Sequence, residues 1–152
     1  MNALVKNDKL VKGLAIAGDL FVWLPLLAPL AFSILSLALD GQFRFDYLMP
    51  AELFPVALFG GVLLLWAALW ARSRRAWIGG ALGAAIALLV SGQALAVVTG
   101  LASGQTEPTG WAWMLVLASL AIYALALVVM GVGGGLLVRD LFRPVSGRAS
   151  PA

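Results

Sequence analysis

The chain has 152 residues, of which 62% are hydrophobic and 11% are charged, and its mean hydropathy is +1.01. A soluble domain usually carries about 25% charged residues, so this composition excludes a water-soluble globule, and its apolar content excludes a disordered chain. The absence of cysteine and histidine excludes disulfides, thiolate metal sites, iron–sulfur clusters and histidine-ligated metals or haem. An integral membrane protein is the class that remains.

Four apolar segments are long enough to cross a bilayer, which takes about 20 residues of helix. They are residues 13–39, 51–71, 76–99 and 112–138. Their apolar residues are continuous rather than alternating, which favours helices over a transmembrane barrel. The short connections predict an all-α, antiparallel four-helix bundle, with residues 1–143 as one domain and residues 144–152 as a disordered tail.

The basic residues indicate the orientation of these spans. Nine of the ten lie before the first span, between the second and third, or after the fourth, and only Arg44 lies on the other side. The positive-inside rule therefore predicts that both termini are cytoplasmic. We expect a multi-pass protein of the cell membrane, and specifically of a bacterial inner membrane. This distribution of positive charge accounts for the net charge of +3 without a nucleic-acid partner.

Asp19 is the one acidic residue that lies well inside a predicted span. A charge at the bilayer centre costs about 2.5–3.5 kcal/mol on insertion scales, and such residues often serve ion or proton pathways. Asp19 is therefore a candidate coupling carboxylate, or a contact for a cationic substrate. The alternative is a structural ion pair with a cation on the same inner side: Arg72, Arg75 or Arg139.

Pro25 and Pro29 lie one helical turn apart in the first span. Each removes a backbone donor, which frees the carbonyl groups of Phe21 and Pro25. A broken helix that lines a transport site is one interpretation. The other is a kinked helix whose free carbonyl accepts a hydrogen bond from a neighbouring hydroxyl, for which Tyr123 lies at a suitable depth.

Small residues are concentrated in the inner halves of the last two spans. Gly79 and Gly83, and likewise Gly131 and Gly135, satisfy the G-x-x-x-G pattern, which lets helix backbones approach closely. We predict that these glycines pack helices together, either within one bundle or between protomers. The glycine run does not match a nucleotide-binding loop, because no lysine followed by serine or threonine comes after it.

A second polar layer is predicted about a third of the way in from the outer side. Gln93 is its most demanding member because its amide has two donors and an acceptor to satisfy. The sequence allows two interpretations of this layer: an interhelical hydrogen bond, or a polar pocket that faces outward. The other members of this layer are Ser33, Ser36 and Ser119.

The first connection alternates aromatic and charged residues, so an extended segment would have one apolar and one charged face. This loop is either a docking face for a partner on the outer side or an interfacial loop that rests on lipid headgroups. The residues concerned are Phe43, Arg44, Phe45, Asp46 and Tyr47.

The sequence indicates the function of the protein less clearly than its fold and orientation. We expect no enzyme activity, no cofactor and no metal, because no catalytic constellation is visible. The first hypothesis is a non-catalytic subunit or accessory factor of a membrane complex, with a membrane protein or a second copy as its partner. The alternative is a small ion- or proton-coupled transporter or channel that uses Asp19 and the proline-broken first helix.

Overall fold

The computed structural model of the chain describes residues 2–40, 53–104, 107 and 109–143, and all four elements in this part are α-helices. They are α1 (Asn2–Asp40), α2 (Phe54–Ala71), α3 (Arg75–Val98) and α4 (Gly110–Phe142). All four are long and apolar enough to span a membrane, as the hydropathy of the sequence predicts. The predicted outer loop 43–47 and the tail 144–152 lie outside the described residues.

The helices form a bundle in which α1 and α3 lie on opposite sides and make no contact. α1 packs on α2 and α4, whereas α3 packs on α4 and, less extensively, on α2. Fully buried side chains from three helices meet at the centre, including Leu64, Ile78, Leu127 and Met130. Most of the remaining large apolar side chains point outward, which is typical of a bundle surrounded by lipid rather than water.

Helix α1 departs from the sequence prediction in length and in continuity. It begins at Asn2 rather than near Gly13, and it runs through Pro25 and Pro29 without interruption. A missing backbone donor costs one hydrogen bond but does not by itself end a helix that is packed along its length. The first helix is therefore not broken at its prolines. Both prolines are buried in the bundle.

Lys12 of α1 and the arginines of the α2–α3 turn lie near the end of α4, and we call this end of the bundle the arginine end. Arg72 and Arg74 adopt left-handed conformations, with φ of 50° and 55°, in the tight turn between α2 and α3. The Arg74 guanidinium Nε donates to Asp140 Oδ2 of α4 at 2.9 Å. The Lys12 ammonium lies 5.2 Å from the centre of the Phe142 ring. These contacts bring Lys12 of α1 and the α2–α3 turn close to the end of α4.

Two glycines set the distance between α1 and α2. A Cβ placed on Gly18 would lie 2.8 Å from the backbone nitrogen of Leu64 and 2.9 Å from the carbonyl oxygen of Gly60. A Cβ on Gly60 would lie 2.8 Å from the carbonyl oxygen of Gly18. Only glycine permits this backbone approach. The crossing fixes the position of Asp19, the next residue of α1.

Candidate functional site

The carboxylate of Asp19 lies where α1 meets α2 and α4. A Cβ placed on Gly134 of α4 would lie 2.5 Å from Asp19 Oδ1 and 2.9 Å from the Leu64 side chain of α2. The absence of a side chain at Gly134 therefore provides the space that the carboxylate occupies. Gly135, the next residue, is less confined, because its Cβ would lie 3.8 Å from Asp19 Oδ2.

Asp19 has few polar neighbours. The Trp23 side chain, one helical turn further along α1, is its hydrogen-bond partner, and the indole N–H is the donor. Oδ1 is buried and has no hydrogen-bond partner in the described part of the chain. A buried charged group without its full set of partners is costly. The carboxylate is therefore incompletely satisfied.

The predicted ion pair between Asp19 and an inner-side cation is not formed. Among the described residues, Asp19 has no salt bridge with Arg72, Arg75 or Arg139. Arg74, a neighbour of these arginines, pairs with Asp140 near the end of α4. This outcome has a geometric reason: Asp19 faces Gly134 of α4, which lies six residues before Asp140, about 9 Å along the helix from the Arg74–Asp140 pair.

One face of α4 lines the interior from Asp19 toward the other end of the bundle. Tyr123, Leu127, Met130 and Gly134 recur at helical spacing on this face, and the first three are 0–1% exposed. Val22 of α1, also fully buried, follows Asp19 by three residues. Val22, Leu127 and Met130 thus form an apolar layer between Asp19 and Tyr123.

Tyr123 lines a small cavity between α3 and α4. The cavity has a volume of about 30 Å³, and its polar lining residues are Gln93, Ser119 and Tyr123. The hydroxyl of Tyr123 is buried and has no hydrogen-bond partner in the described part of the chain. One interpretation of the sequence predicts that Tyr123 donates to the carbonyl group of Phe21 or Pro25. The structure does not contain this hydrogen bond. Its ring packs against Phe54, with 6.2 Å between ring centres.

The predicted polar layer divides between the two sides of the bundle. Gln93 and Ser119 meet at the cavity, and the Ser119 hydroxyl donates to the Val116 carbonyl at 2.7 Å. Ser33 is buried on α1 and donates to the Pro29 carbonyl of its own helix at 2.8 Å. Ser33 and Ser36 do not line the cavity, whose lining residues all belong to α3 and α4.

The glycines of the two G-x-x-x-G pairs have different surroundings. Gly131 faces the Trp23 indole, whereas Gly135 is exposed. On α3, a Cβ on Gly79 would meet only Leu65 at 3.4 Å, and a Cβ on Gly83 would meet nothing within 4 Å. Of these four glycines, Gly131 is the one in close contact with another helix, because its Cβ would lie 2.8 Å from the Trp23 ring of α1. Gly18, Gly60 and Gly134, which the spacing does not select, also allow helices to approach closely.

Sequence reasoning missed several residues around Asp19. Trp23 follows it by four residues, a spacing that places both on one helical face, and Gly18 precedes it directly. These local signals were available for α1. The contribution of Gly134 was not, because no sequence pattern indicates that Gly134 faces Asp19 of α1 while Gly133 faces Trp77 and Ile78 of α3.

No protein family model matches the chain, and neither a curated protein nor a solved structure shows significant similarity to it. Among the described residues, no three acidic side chains come together in a group that could hold a metal ion. Asp19 with its neighbours and the cavity near Tyr123 are therefore the features from which function is inferred.

Proposed function

We propose that the protein is a small ion-coupled transporter or channel of the cell membrane in which Asp19 binds a proton or a monovalent cation. The observation that carries the proposal is the buried Oδ1 atom, which has no partner in the described part of the chain. Either a proton or a cation neutralises a carboxylate in a low-dielectric setting. The missing ion pair with Arg72, Arg75 or Arg139 favours this role over a structural one.

The proposed orientation places the arginine end in the cytoplasm, with both termini on that side and the helices antiparallel. Three observations support it: the distribution of basic residues, the Arg74–Asp140 pair and the contact between Lys12 and Phe142. In this orientation Asp19 lies in the inner part of the membrane. Val22, Leu127 and Met130 separate it from the outer side, and an ion that crosses must displace this layer.

Reconstitution into proteoliposomes tests the proposal. With an imposed pH gradient or cation gradient, the wild-type protein should accelerate flux over protein-free vesicles, as measured with an entrapped pH-sensitive dye and a cation-selective electrode. Asp19→Asn should abolish this flux while the variant still inserts and elutes as a single species. Asp19→Glu should retain part of it. Asp140→Asn is the matched control, because it removes an acid that pairs outside the interior, and its flux should stay near wild type.

Two outcomes would overturn the proposal. One is wild-type flux that equals that of protein-free vesicles under every gradient. The other is Asp19→Asn flux that equals wild type. A variant that fails to insert would assign Asp19 a structural role.

Adjacent glycines provide a second, matched comparison. Gly134→Ala places a methyl group against Asp19 Oδ1, and the carboxylate must move, so we expect flux to fall toward that of Asp19→Asn. Gly135→Ala introduces the same methyl group 3.8 Å from Oδ2, an ordinary contact, and should leave flux unchanged. Equal effects of the two variants would mean that the carboxylate position does not matter.

The second candidate function is a non-catalytic subunit that associates with a membrane protein or with a second copy. The specific observation is that small residues on α3 face outward: Gly80, Gly83, Ala87 and Ser91 are exposed, and Cβ atoms on Gly80 and Gly83 would meet nothing within 4 Å. Such a surface allows close helix association.

Native mass spectrometry from lipid nanodiscs tests this candidate, because it reports partner and stoichiometry together. Gly83→Leu should remove the associated chain without unfolding the bundle, whereas Ile86→Ala, an exposed position on α3 outside this stripe, should not. Recovery of the protein only as a monomer, with no partner, would exclude this second candidate function.

A further inference from the structure

We propose that one anionic phospholipid binds at the arginine end of the bundle, with an acyl chain in an open groove on α2 and its phosphate group against Arg72 and Arg75. This inference requires only that the bundle spans the membrane, and it is independent of the role proposed for Asp19.

The groove lies on the outer face of α2 and has a volume of about 210 Å³. It is open to the surrounding lipid, because four of its five lining residues are 45–52% exposed. Leu65, the fifth, is less exposed and packs against the core of the bundle. An acyl chain can therefore enter from the side without any movement of the helices. The lining residues are Val62, Leu65, Trp66, Leu69 and Trp70.

Two indole rings give the groove a preformed wall. Trp66 and Trp70 lie one helical turn apart, with 6.0 Å between ring centres and 84° between the ring planes. This edge-to-face arrangement is favourable for aromatic pairs, so each ring restrains the other. Fewer side chains then have to be ordered when a chain binds, which favours binding.

The groove has the length and direction of a lipid chain within one leaflet. Val62 and Trp70 are eight residues apart, about 12 Å along the helix, whereas half of the hydrocarbon core is about 15 Å thick. Trp70 lies nearest the arginine end, where tryptophan meets the headgroups. A phospholipid has the same polarity, with its chain in the interior and its phosphate at the surface.

Arg72 lies at the polar end of the groove. It follows Trp70 by two residues, and its backbone N–H donates to the Leu69 carbonyl at 3.3 Å, so it lies within one turn of both. Arg72 is exposed and has no salt bridge in the described part of the chain.

Arg75 adds a second positive charge at the same end. It begins α3 four residues before Gly79, whose Cβ would lie 3.4 Å from the Leu65 side chain. Arg75 and Gly79 therefore share the face of α3 that adjoins the groove. Arg75 is exposed and forms no salt bridge with the described residues, whereas Arg74 is paired with Asp140.

The combination of charge and groove selects the occupant. Two unpaired guanidinium groups at the membrane surface attract an anionic headgroup, and guanidinium binds phosphate with paired N–H donors. A free phosphate ion would use the arginines but not the groove, and an uncharged chain would use the groove but not the arginines. A lipid of net negative charge uses both.

Native mass spectrometry with lipids of identical acyl chains tests the headgroup. The purified protein is mixed with equimolar phosphatidylglycerol, which is anionic, and phosphatidylcholine, which is zwitterionic. We expect the first lipid bound to the wild type to be phosphatidylglycerol, in at least about tenfold excess. Arg72→Gln/Arg75→Gln should abolish this preference. Arg139→Gln/Arg143→Gln removes the same charge at the end of α4 and should retain it.

If a double variant does not elute as a single species, Arg72→Gln and Arg143→Gln replace the two, and the preference should fall only in Arg72→Gln. Val62→Trp tests the groove, because the larger side chain fills its deep end. Val132→Trp is the matched control, since Val132 of α4 is also 45% exposed and does not line the groove. We expect Val62→Trp to lose most of its bound phosphatidylglycerol and Val132→Trp to keep it.

Four results would overturn the proposal. Equal binding of the two lipids to the wild type would mean that charge does not select the occupant. An equal loss of preference in the two arginine variants would assign it to the arginine end as a whole. Full retention of phosphatidylglycerol by Val62→Trp would mean that the groove is not used. A dimer that Val62→Trp dissociates would identify a second copy of the chain as the occupant.

Discussion

The two polar sites of the bundle lie in contrasting surroundings. Around Asp19, glycines bring the backbones of α1, α2 and α4 so close that added Cβ atoms would collide with backbone atoms or with the carboxylate. Near Tyr123, a small cavity lies between α3 and α4. The charged group is thus enclosed by three closely spaced helix backbones, whereas the neutral hydroxyl belongs to a fully buried ring near a small cavity. The contrast indicates that Asp19 is positioned by the approach of backbones, whereas Tyr123 is positioned by side-chain packing, which includes its contact with the Phe54 ring.

The largest effect is expected from closing the space between α1 and α2. Gly60→Ala should destabilise the protein by about 1–3 kcal/mol, the usual cost of overpacking, because its methyl group would meet the Gly18 carbonyl and the Phe21 Cβ. The measurement is thermal unfolding in detergent, followed by tryptophan fluorescence.

Gly92→Ala is the matched control at the other site, since its methyl group would meet only the Ser119 side chain, which can rotate. We expect a much smaller drop in Tm for Gly92→Ala. Equal drops would show that the two sites are packed alike, and the contrast would fail.

Leu64→Ala should have the next largest effect. Leu64 is fully buried and packs near both Gly18 and Gly134, so truncation opens a cavity beside Asp19. In lipid the leucine also has apolar surroundings when the helices are apart, so the loss is chiefly one of packing, about 2 kcal/mol. Leu117→Ala, at a 45% exposed position on α4, should leave Tm nearly unchanged. A similar drop for both would indicate that Leu64 is not confined.

Asp19→Asn should raise stability while it removes flux. The neutral amide can still accept from Trp23, and it removes a buried charge whose Oδ1 has no partner in the described part of the chain, so we expect a gain of about 1 kcal/mol. The Tm of the purified variant in detergent checks this. A clear fall in Tm would instead identify Asp19 as a residue that stabilises the bundle.

Tyr123→Phe should have the smallest effect, a change in stability of less than about 1 kcal/mol. The substitution removes one hydroxyl but retains the ring that packs against Phe54. Its Tm, measured beside that of Asp19→Asn, completes the comparison between the sites. A loss larger than that of Leu64→Ala would show that the hydroxyl has a strong structural partner.

The predictability of the candidate site differs from residue to residue. The depth of Asp19 in the first span is evident in the sequence, as is the proximity of Gln93 and Ser119 in depth. The ion-pair partners are not evident in the sequence. Which arginine meets which acid depends on how each helix is rotated about its axis. Arg74 meets Asp140, and that choice leaves Asp19 with Trp23.

The sequence alone determined the class of the protein, its four helices and the separation of basic residues, because hydropathy and charge act on each segment independently of the others. The tertiary structure decided which glycines bring helices together, why α1 continues through its prolines and where Tyr123 meets a cavity. The physical reason is that a membrane helix is apolar on every side. Its sequence therefore does not distinguish the face that meets lipid from the face that meets another helix, and only packing between helices does so.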